Sequence, residues 1–206
     1  MSQEISGLLS GACGYLSGPM EYVSDHGIVW RRKFIELSYQ SGLKVDYIDP
    51  TNKPGGNMQI KEDKEYQKQL REEGRYQELK EYVSNYRRLD LRFTDISDFV
   101  VAVVNPNVPQ WGTSDECYTA EDQHKPIFWI IDGGLKKLPF WLFDVAELNM
   151  VFDSVEAVIE KLIRLDTGLE KMTNEWVLVR KAIEERRQER KRYMQELSSG
   201  LADFGP

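Results

Sequence analysis

The segment Trp111-Gly112-Thr113-Ser114-Asp115-Glu116 follows an apolar run and a short polar loop, and it opens a helical pattern. A carboxylate at a helix start faces unpaired backbone N–H groups and the positive end of the helix dipole, which favour its ionised form and lower its pKa. Glu116 so placed suits a nucleophile that attacks as an anion without a separate base. The same residues also fit a Thr-x-x-Glu capping box, in which Thr113 and Glu116 only satisfy helix-end donors. Asp90, within Arg87-Arg88-Leu89-Asp90-Leu91-Arg92, lies eight residues before Asp98 and just upstream of a buried strand, from which an aspartate reaches the ligand edge. The competing reading is a solvated cluster in which Asp90 pairs with neighbouring arginines. Asp95 and Asp98 read as turn or cap residues. Tyr15, in Gly14-Tyr15-Leu16-Ser17-Gly18-Pro19, either directs a phenol at a carboxylate or fills a core.

Other chemistries lack their residues. His26 and His124 have no metal-ligand spacing with each other or with a cysteine, so no metal site is expected. There is no P-loop and no G-x-G-x-x-G run. Cys117 adjoins Glu116 without a histidine partner and reads as helix packing.

Positioning such residues requires a scaffold, and the chain alternates strand and helix patterns. Ala12 to Leu16 is an apolar strand stopped by Ser17-Gly18-Pro19. Ile28, Val29, Trp30, Phe34, Leu37 and Tyr39 recur at helical spacing until Gly42. Lys44 to Ile48 alternates as a short strand and ends at Asp49-Pro50, and Thr51 to Asn57 reads as a loop. Between Ile60 and Tyr86 a charged stretch carries one helical stripe with a break at Gly74. Phe99 to Val104 and Ile127 to Ile131 are continuous apolar runs, the pattern of strands buried on both faces of a parallel sheet. Thr113 to His124 reads as the helix between them. Asn149 to Phe152 is a weaker strand, and Ser154 caps a helix to Leu165.

The expected fold class is α/β: a Rossmann-like or flavodoxin-like parallel sheet of about five strands flanked by helices, plus a charged C-terminal helix. Residues 1–168 form the expected α/β domain and 169–206 a helical extension and tail. Glu175 to Leu197 carries a thin stripe of Trp176, Val179, Ala182 and Met194 and reads as an appendage, and Ser198 to Pro206 as a loose tail. Ligands of such sheets bind outside the carboxyl ends of the strands, where Ser17-Gly18-Pro19, Asp49-Pro50, Asn105 to Gln110 and Asp132-Gly133-Gly134 fall.

A length of 206 residues suffices for a real core. A net charge of −7 argues against a partner held by its nucleic-acid backbone. No apolar run approaches the roughly 20 residues that span a bilayer. Two cysteines and no apolar signal segment at the start make the cytoplasm the expected compartment.

The chain resembles the nucleoside 2-deoxyribosyltransferase family, and more closely the transferase-like proteins often found in bacteriophage genomes. The resemblance spans Gly11 to Leu165. It rests on Tyr15-Leu16-Ser17-Gly18-Pro19-Met20 with Trp30-Arg31 downstream, on Asp49-Pro50, on Asp90 eight residues before Asp98, and on Gly112-Thr113-x-x-Glu116 ten residues before Pro126. It implies a Glu116 carboxylate that attacks the anomeric carbon and forms a glycosyl-enzyme, as a retaining glycosidase does. It implies that Asp90 bonds the base and helps protonate the departing nitrogen, and that Tyr15 positions the nucleophile. Ser17, Gly18, Pro19 and Met20 would line the sugar end, with Gly112 and Thr113 beside it. No metal or organic cofactor is implied.

The chain departs from the family at Gln110, which stands where the transferases carry a sugar-contacting aspartate six residues before the nucleophile. A neighbouring subunit often completes the family's pocket, which makes a homo-oligomer the expected assembly. Pro139-Phe140-Trp141-Leu142-Phe143 occupies the corresponding place, with Trp141 as a substrate contact, while ordinary core packing is the other reading of that segment. Ser17, Arg31 and Arg32 are the residues open to a substrate phosphate, although Arg31 and Arg32 read as surface residues of the first helix.

The expected activity is cleavage or exchange of the N-glycosidic bond of a 2′-deoxynucleoside or its monophosphate. Two other classes stay open: a nucleotide-binding or sensing module on the same fold, and an interaction protein built around the C-terminal helix.

Overall fold

The computed structural model describes residues 7–53, 63–171 and 180–199. Five strands form one all-parallel sheet: β1 (Cys13–Ser17), β2 (Asp46–Ile48), β3 (Phe99–Val103), β4 (Ile127–Ile130) and β5 (Val151–Phe152), in the order β2-β1-β3-β4-β5. The helices are α1 (Ile28–Gln40), α2 (Lys64–Glu72), α3 (Tyr76–Ile96), α4 (Trp111–Asp122), α5 (Leu142–Val145), α6 (Val155–Asp166) and α7 (Arg180–Ser199). The architecture is α/β with the flavodoxin-type strand order, whose direction of winding reverses between β1 and β3.

Side chains along each strand divide between two cores with period two. Leu16, Phe99, Val101, Phe128 and Ile130 pack with Phe34 of α1 and with Val158, Ile159 and Leu162 of α6. Cys13, Tyr15, Val100, Ala102, Ile127 and Trp129 pack with Leu89 and Phe93 of α3 and with Cys117 and Ala120 of α4. Both faces are covered, which is why these strands read as unbroken apolar runs.

Several boundaries differ from those expected. The helix placed before Tyr86 runs on to Ile96, so Asp90 sits inside α3 and faces the sheet with Leu89, Phe93 and Thr94. Gly74, at φ +70°, does separate α2 from α3. The helix expected from Thr113 begins at Trp111, with Gln110 as its N-cap. Arg31 is not a surface residue: it shares the buried face of α1 with Phe34 and Ser38, while Arg32 is exposed.

The C-terminal helix is docked rather than appended. Ile183 joins one core, and Tyr193 and Leu197 join the other. Asp98, fully buried and not a mere cap, accepts from Cys13 N at 2.7 Å, Arg186 Nε at 2.5 Å and Arg190 Nη1 at 3.2 Å. Arg190 also donates to Ile96 O and Gly11 O, at 2.9 and 3.0 Å. Two arginines of α7 thereby clamp the amino ends of β1 and β3, opposite the carboxyl ends of the strands. A thin apolar stripe suffices because buried, hydrogen-bonded charge does part of the docking. The expected stripe residues Trp176 and Val179, the loop from residue 54 to Asn57, the helix start near Ile60 and the tail from residue 200 lie outside the described residues.

Candidate active site

Odd-numbered residues of β1 point toward α3 and α4, which places Tyr15 and Ser17 on that face at the carboxyl end of the strand. On α4, Thr113, Cys117 and Ala120 form the stripe against the sheet, and Glu116 falls beside Thr113 and Cys117 on the same side. Glu116 therefore meets β1 at the switch point between β1 and β3, where open sheets of this order bind ligands.

Tyr15 Oη donates to Glu116 Oε1 at 2.7 Å, and Ser17 Oγ donates to Glu116 Oε2. Tyr15 and Ser17 are fully buried, whereas Glu116 is half-buried and keeps part of its surface open. Protein surrounds the carboxylate closely enough that burial raises the Glu116 pKa above the ordinary carboxylate value. Hydrogen bonds from Ser17 and Tyr15 and the charges of Arg31 and Lys53 act the other way and hold the anion. This corrects the expectation of a pKa lowered by the helix start: Glu116 is the sixth residue of α4, beyond the first turn where the dipole acts. The capping box does not form, since Thr113 is inside the helix and the Glu116 side chain is spent on β1. Burial, and then the negative charge of Glu116, push the Tyr15 phenol well above its usual value, so it stays protonated and donates.

Arg31 has no exposed surface and braces the loop after β1. Its Nε donates to Leu16 O at 2.9 Å, Nη1 to Gly27 O at 2.9 Å and Nη2 to Gly18 O at 3.0 Å, with Asp49 Oδ1 at 3.7 Å from Nε. Gly27, at φ +72°, is the α1 N-cap, and a Cβ there would stand 2.2 Å from Arg31 Nη1. Arg31 thus supports the site from beneath, with its guanidinium turned to main-chain carbonyls and not to the surface. Asp49 caps the turn Pro50–Asn52, accepting from Thr51 N at 2.8 Å.

Asp90 stands near enough for its charge to act on Tyr15. It is buried, and it pairs not with the neighbouring arginines but with Lys53, whose Nζ lies 2.9 Å from each carboxylate oxygen. Arg87 instead bridges to Asp115 at 2.6 Å. Lys53 is a site residue that the sequence does not single out, although it lies at the carboxyl end of β2, just past Asp49-Pro50. For Arg31, the helical phase shared with Phe34 and Ser38 is the signal that separates it from the exposed Arg32.

Pro19 is buried and Gly18 half-buried, and Met20 O accepts from Lys64 Nζ. Gln110 accepts from Asn105 N at 3.0 Å and closes the loop after β3. Gln110, Thr113 and Trp141 line, with Val104, Cys117 and Trp129, a cavity of about 330 Å³ whose walls do not include Glu116, Tyr15 or Asp90. Gly112 faces open space. Phe140 and Trp141 are 95% and 77% exposed and stand outside the core, while Leu142 of the same segment packs against it. Burial, and then the charge of Glu116, raise the Cys117 thiol pKa well above its ordinary value, which makes it packing and not a nucleophile. Among the described residues no group of His, Cys, Asp and Glu is arranged to hold a metal ion, and no helix is long and apolar enough to cross a membrane. No protein-family model matches the chain, and no curated protein matches it.

Proposed function

We propose that this chain cleaves or exchanges the N-glycosidic bond of a 2′-deoxynucleoside or its monophosphate through a covalent glycosyl–Glu116 intermediate, as the resemblance to the nucleoside 2-deoxyribosyltransferases implies. The observation that carries the reading is the Glu116 carboxylate, with one oxygen held by Tyr15 and the other by Ser17 at the β1–β3 switch point. A carboxylate needed only to cap a helix has no reason to be partly buried between two donors and within the field of two cationic side chains.

In the first step Glu116 attacks C1′ and the C1′–N bond breaks, its electron pair leaving with the base, which takes up a proton from the Asp90 carboxyl as the resemblance implies. In the second, another base or water attacks C1′ and returns that proton to the Asp90 carboxylate, the ester bond breaks and the Glu116 carboxylate returns. Two displacements at one carbon retain the sugar's configuration. Tyr15 and Ser17 aim the nucleophile and receive it again when the ester opens. The Arg31 and Lys53 charges keep the anion accessible despite its burial.

The test is to incubate the protein with each deoxynucleoside and deoxynucleoside monophosphate, with and without a second free base, beside Glu116→Ala. Free base, or a base moved to a new sugar, with an inert variant is the expected result. Equal silence of both proteins across the panel removes the reading and favours a nucleotide-binding module.

A further inference from the structure

Beyond the carboxyl end of β3, between α4 and the start of α5, lies the cavity of about 330 Å³ whose walls exclude Glu116, Tyr15 and Asp90. Its volume falls at the small end of the range for ligand pockets, enough for one ring system with its substituents. Among the described residues no charged side chain lines it. An ion held against such walls would lose its hydration without a counter-charge, so the cavity suits a neutral occupant.

The polar groups of the walls are not all spent within the protein. Gln110 Oε1 accepts from Asn105 N and Asn105 Oδ1 accepts from Asn107 N, each at 3.0 Å, and these bonds shape the loop after β3. Thr113 is only 7% exposed and Trp129, in β4, only 2%, yet among the described residues neither the hydroxyl nor the indole N–H finds a hydrogen-bond partner. Side chains buried so deeply are ordinarily paired. Trp129 can only donate, and the Asn105 amide, its oxygen taken, has donors left. At the mouth, Trp141 makes no ring contact among the described residues, which leaves its ring open to stacking.

We propose that this cavity is a second small-molecule site, separate from the Glu116 centre, which takes a neutral planar nitrogen heterocycle whose edge offers ring nitrogens or carbonyl oxygens. The ring stacks on Trp141 and accepts from Thr113 and Trp129. This assignment does not rest on the nucleoside-cleaving reading, and it gives Gln110, Thr113 and Trp141 a ligand other than the substrate of Glu116.

The probe is caffeine, a neutral purine that offers acceptors and no N–H. Indole, with an N–H and no ring acceptor, and adenosine 5′-monophosphate, which is charged, are the comparisons. Binding is read from the tryptophan indole N–H resonances, assigned with Trp129→Phe and Trp141→Phe. Caffeine should shift the Trp129 and Trp141 signals together and saturably, with the same affinity in Glu116→Gln. Thr113→Val keeps the shape and removes the hydroxyl, and it should weaken caffeine about fivefold, the worth of one hydrogen bond. Trp141→Ala, at an exposed position, should weaken it about tenfold through lost stacking. Indole and the monophosphate should each bind about tenfold more weakly than caffeine, since one leaves the buried donors unpaired and the other brings a charge.

Indole binding as well as caffeine, a shift of Trp141 alone, or loss of caffeine binding in Glu116→Gln overturns the proposal, the last because the probe then sits in the Glu116 site. Silence with every probe also overturns it, and if Phe140→Ser then breaks up an oligomer, a second copy of the chain covers the cavity. A nucleoside panel left uncleaved removes the Glu116 chemistry and leaves this result standing.

Discussion

The Tyr15 phenol donates to Glu116 Oε1 at 2.7 Å from the neighbouring strand–helix layer, and with Ser17 on the other oxygen it fixes a partly buried carboxylate at the end of β1. Hydrogen bonds to a charged group contribute roughly 1.5–3 kcal/mol. Tyr15→Phe should lower kcat/KM about tenfold to a hundredfold at neutral pH, since each ~1.4 kcal/mol is a factor of ten. Losing a donor to the anion raises the Glu116 pKa further, so the acid limb of the rate profile moves to higher pH. A pH–rate profile of wild type against variant reads both effects, and an unmoved limb denies Tyr15 this role.

Glu116→Gln should abolish turnover and stabilise the fold. The folded-state pKa of Glu116 is raised above its ordinary 4.5, chiefly by burial. The native state therefore binds more protons than the unfolded state just above that value, and stability contributed by this group falls as pH rises through the window. Once the carboxylate is ionised the burial penalty is present, and removing the charge relieves it. Urea unfolding at pH 7 should favour the variant, with the gap closing below pH ~4.5 as Glu116 becomes protonated in both states.

Arg31→Met should be among the most damaging substitutions near the site although the side chain touches no solvent. It strips donors from the carbonyls of Leu16, Gly18 and Gly27 at once. Buried acceptors left unpaired cost about 1–3 kcal/mol each, so a loss of roughly 3 kcal/mol or more is expected from denaturant midpoints. Arg31→Lys should recover little, because a compact ammonium cannot reach three directions as a planar fork does. Full recovery by lysine would show that charge alone supports this loop.

Much of this is legible in the sequence. Phe99–Val103 and Ile127–Ile130 announce doubly covered parallel strands because no polar residue interrupts them. Glu116 and Tyr15 stand out by their places after and within strands, and they do meet. Long-range charge pairing is what the sequence hides. Asp98 looks like a turn residue because its partners, Arg186 and Arg190, lie 88 and 92 positions away. Lys53 looks like an ordinary loop lysine for the same reason, its partner Asp90 being 37 positions distant on a helix that runs well past its expected end. The pKa direction of Glu116 is hidden too, because the helix starts earlier than Thr113 and has completed a turn before Glu116 is reached.

Asp98→Asn should destabilise by roughly 3–5 kcal/mol, because it leaves the Arg186 and Arg190 charges near the sheet without their counter-ion. Truncation after Gly168 should do similar harm from the other side, leaving Asp98 buried and unneutralised and exposing the surface that Ile183, Tyr193 and Leu197 cover. If the truncated chain keeps the wild-type unfolding midpoint and loses only assembly, α7 is an oligomerisation element and not a clamp.

Lys125 offers a test on the alkaline side. Its side chain is buried, with Nζ donating at 2.6 Å to Thr94 O and at 2.6 Å to Asp95 O near the end of α3. Burial lowers its pKa from 10.5 to about 8, the nearby Asp95 charge opposing the shift and Arg186 adding to it. Below pH ~8 Lys125 is protonated in both folded and unfolded states, and its burial cost is constant. Between about 8 and 10.5 the folded protein has shed a proton that the unfolded chain still binds, so this group's contribution to stability rises with pH across that window. The stability of wild type relative to Lys125→Met should therefore climb between pH 8 and 10.5 in urea titrations, and the Lys125 side-chain resonance should titrate near 8. A flat difference, with a resonance titrating near 10.5, would mean that the two carbonyls and the Asp95 and Asp98 charges fully offset the burial of the ammonium.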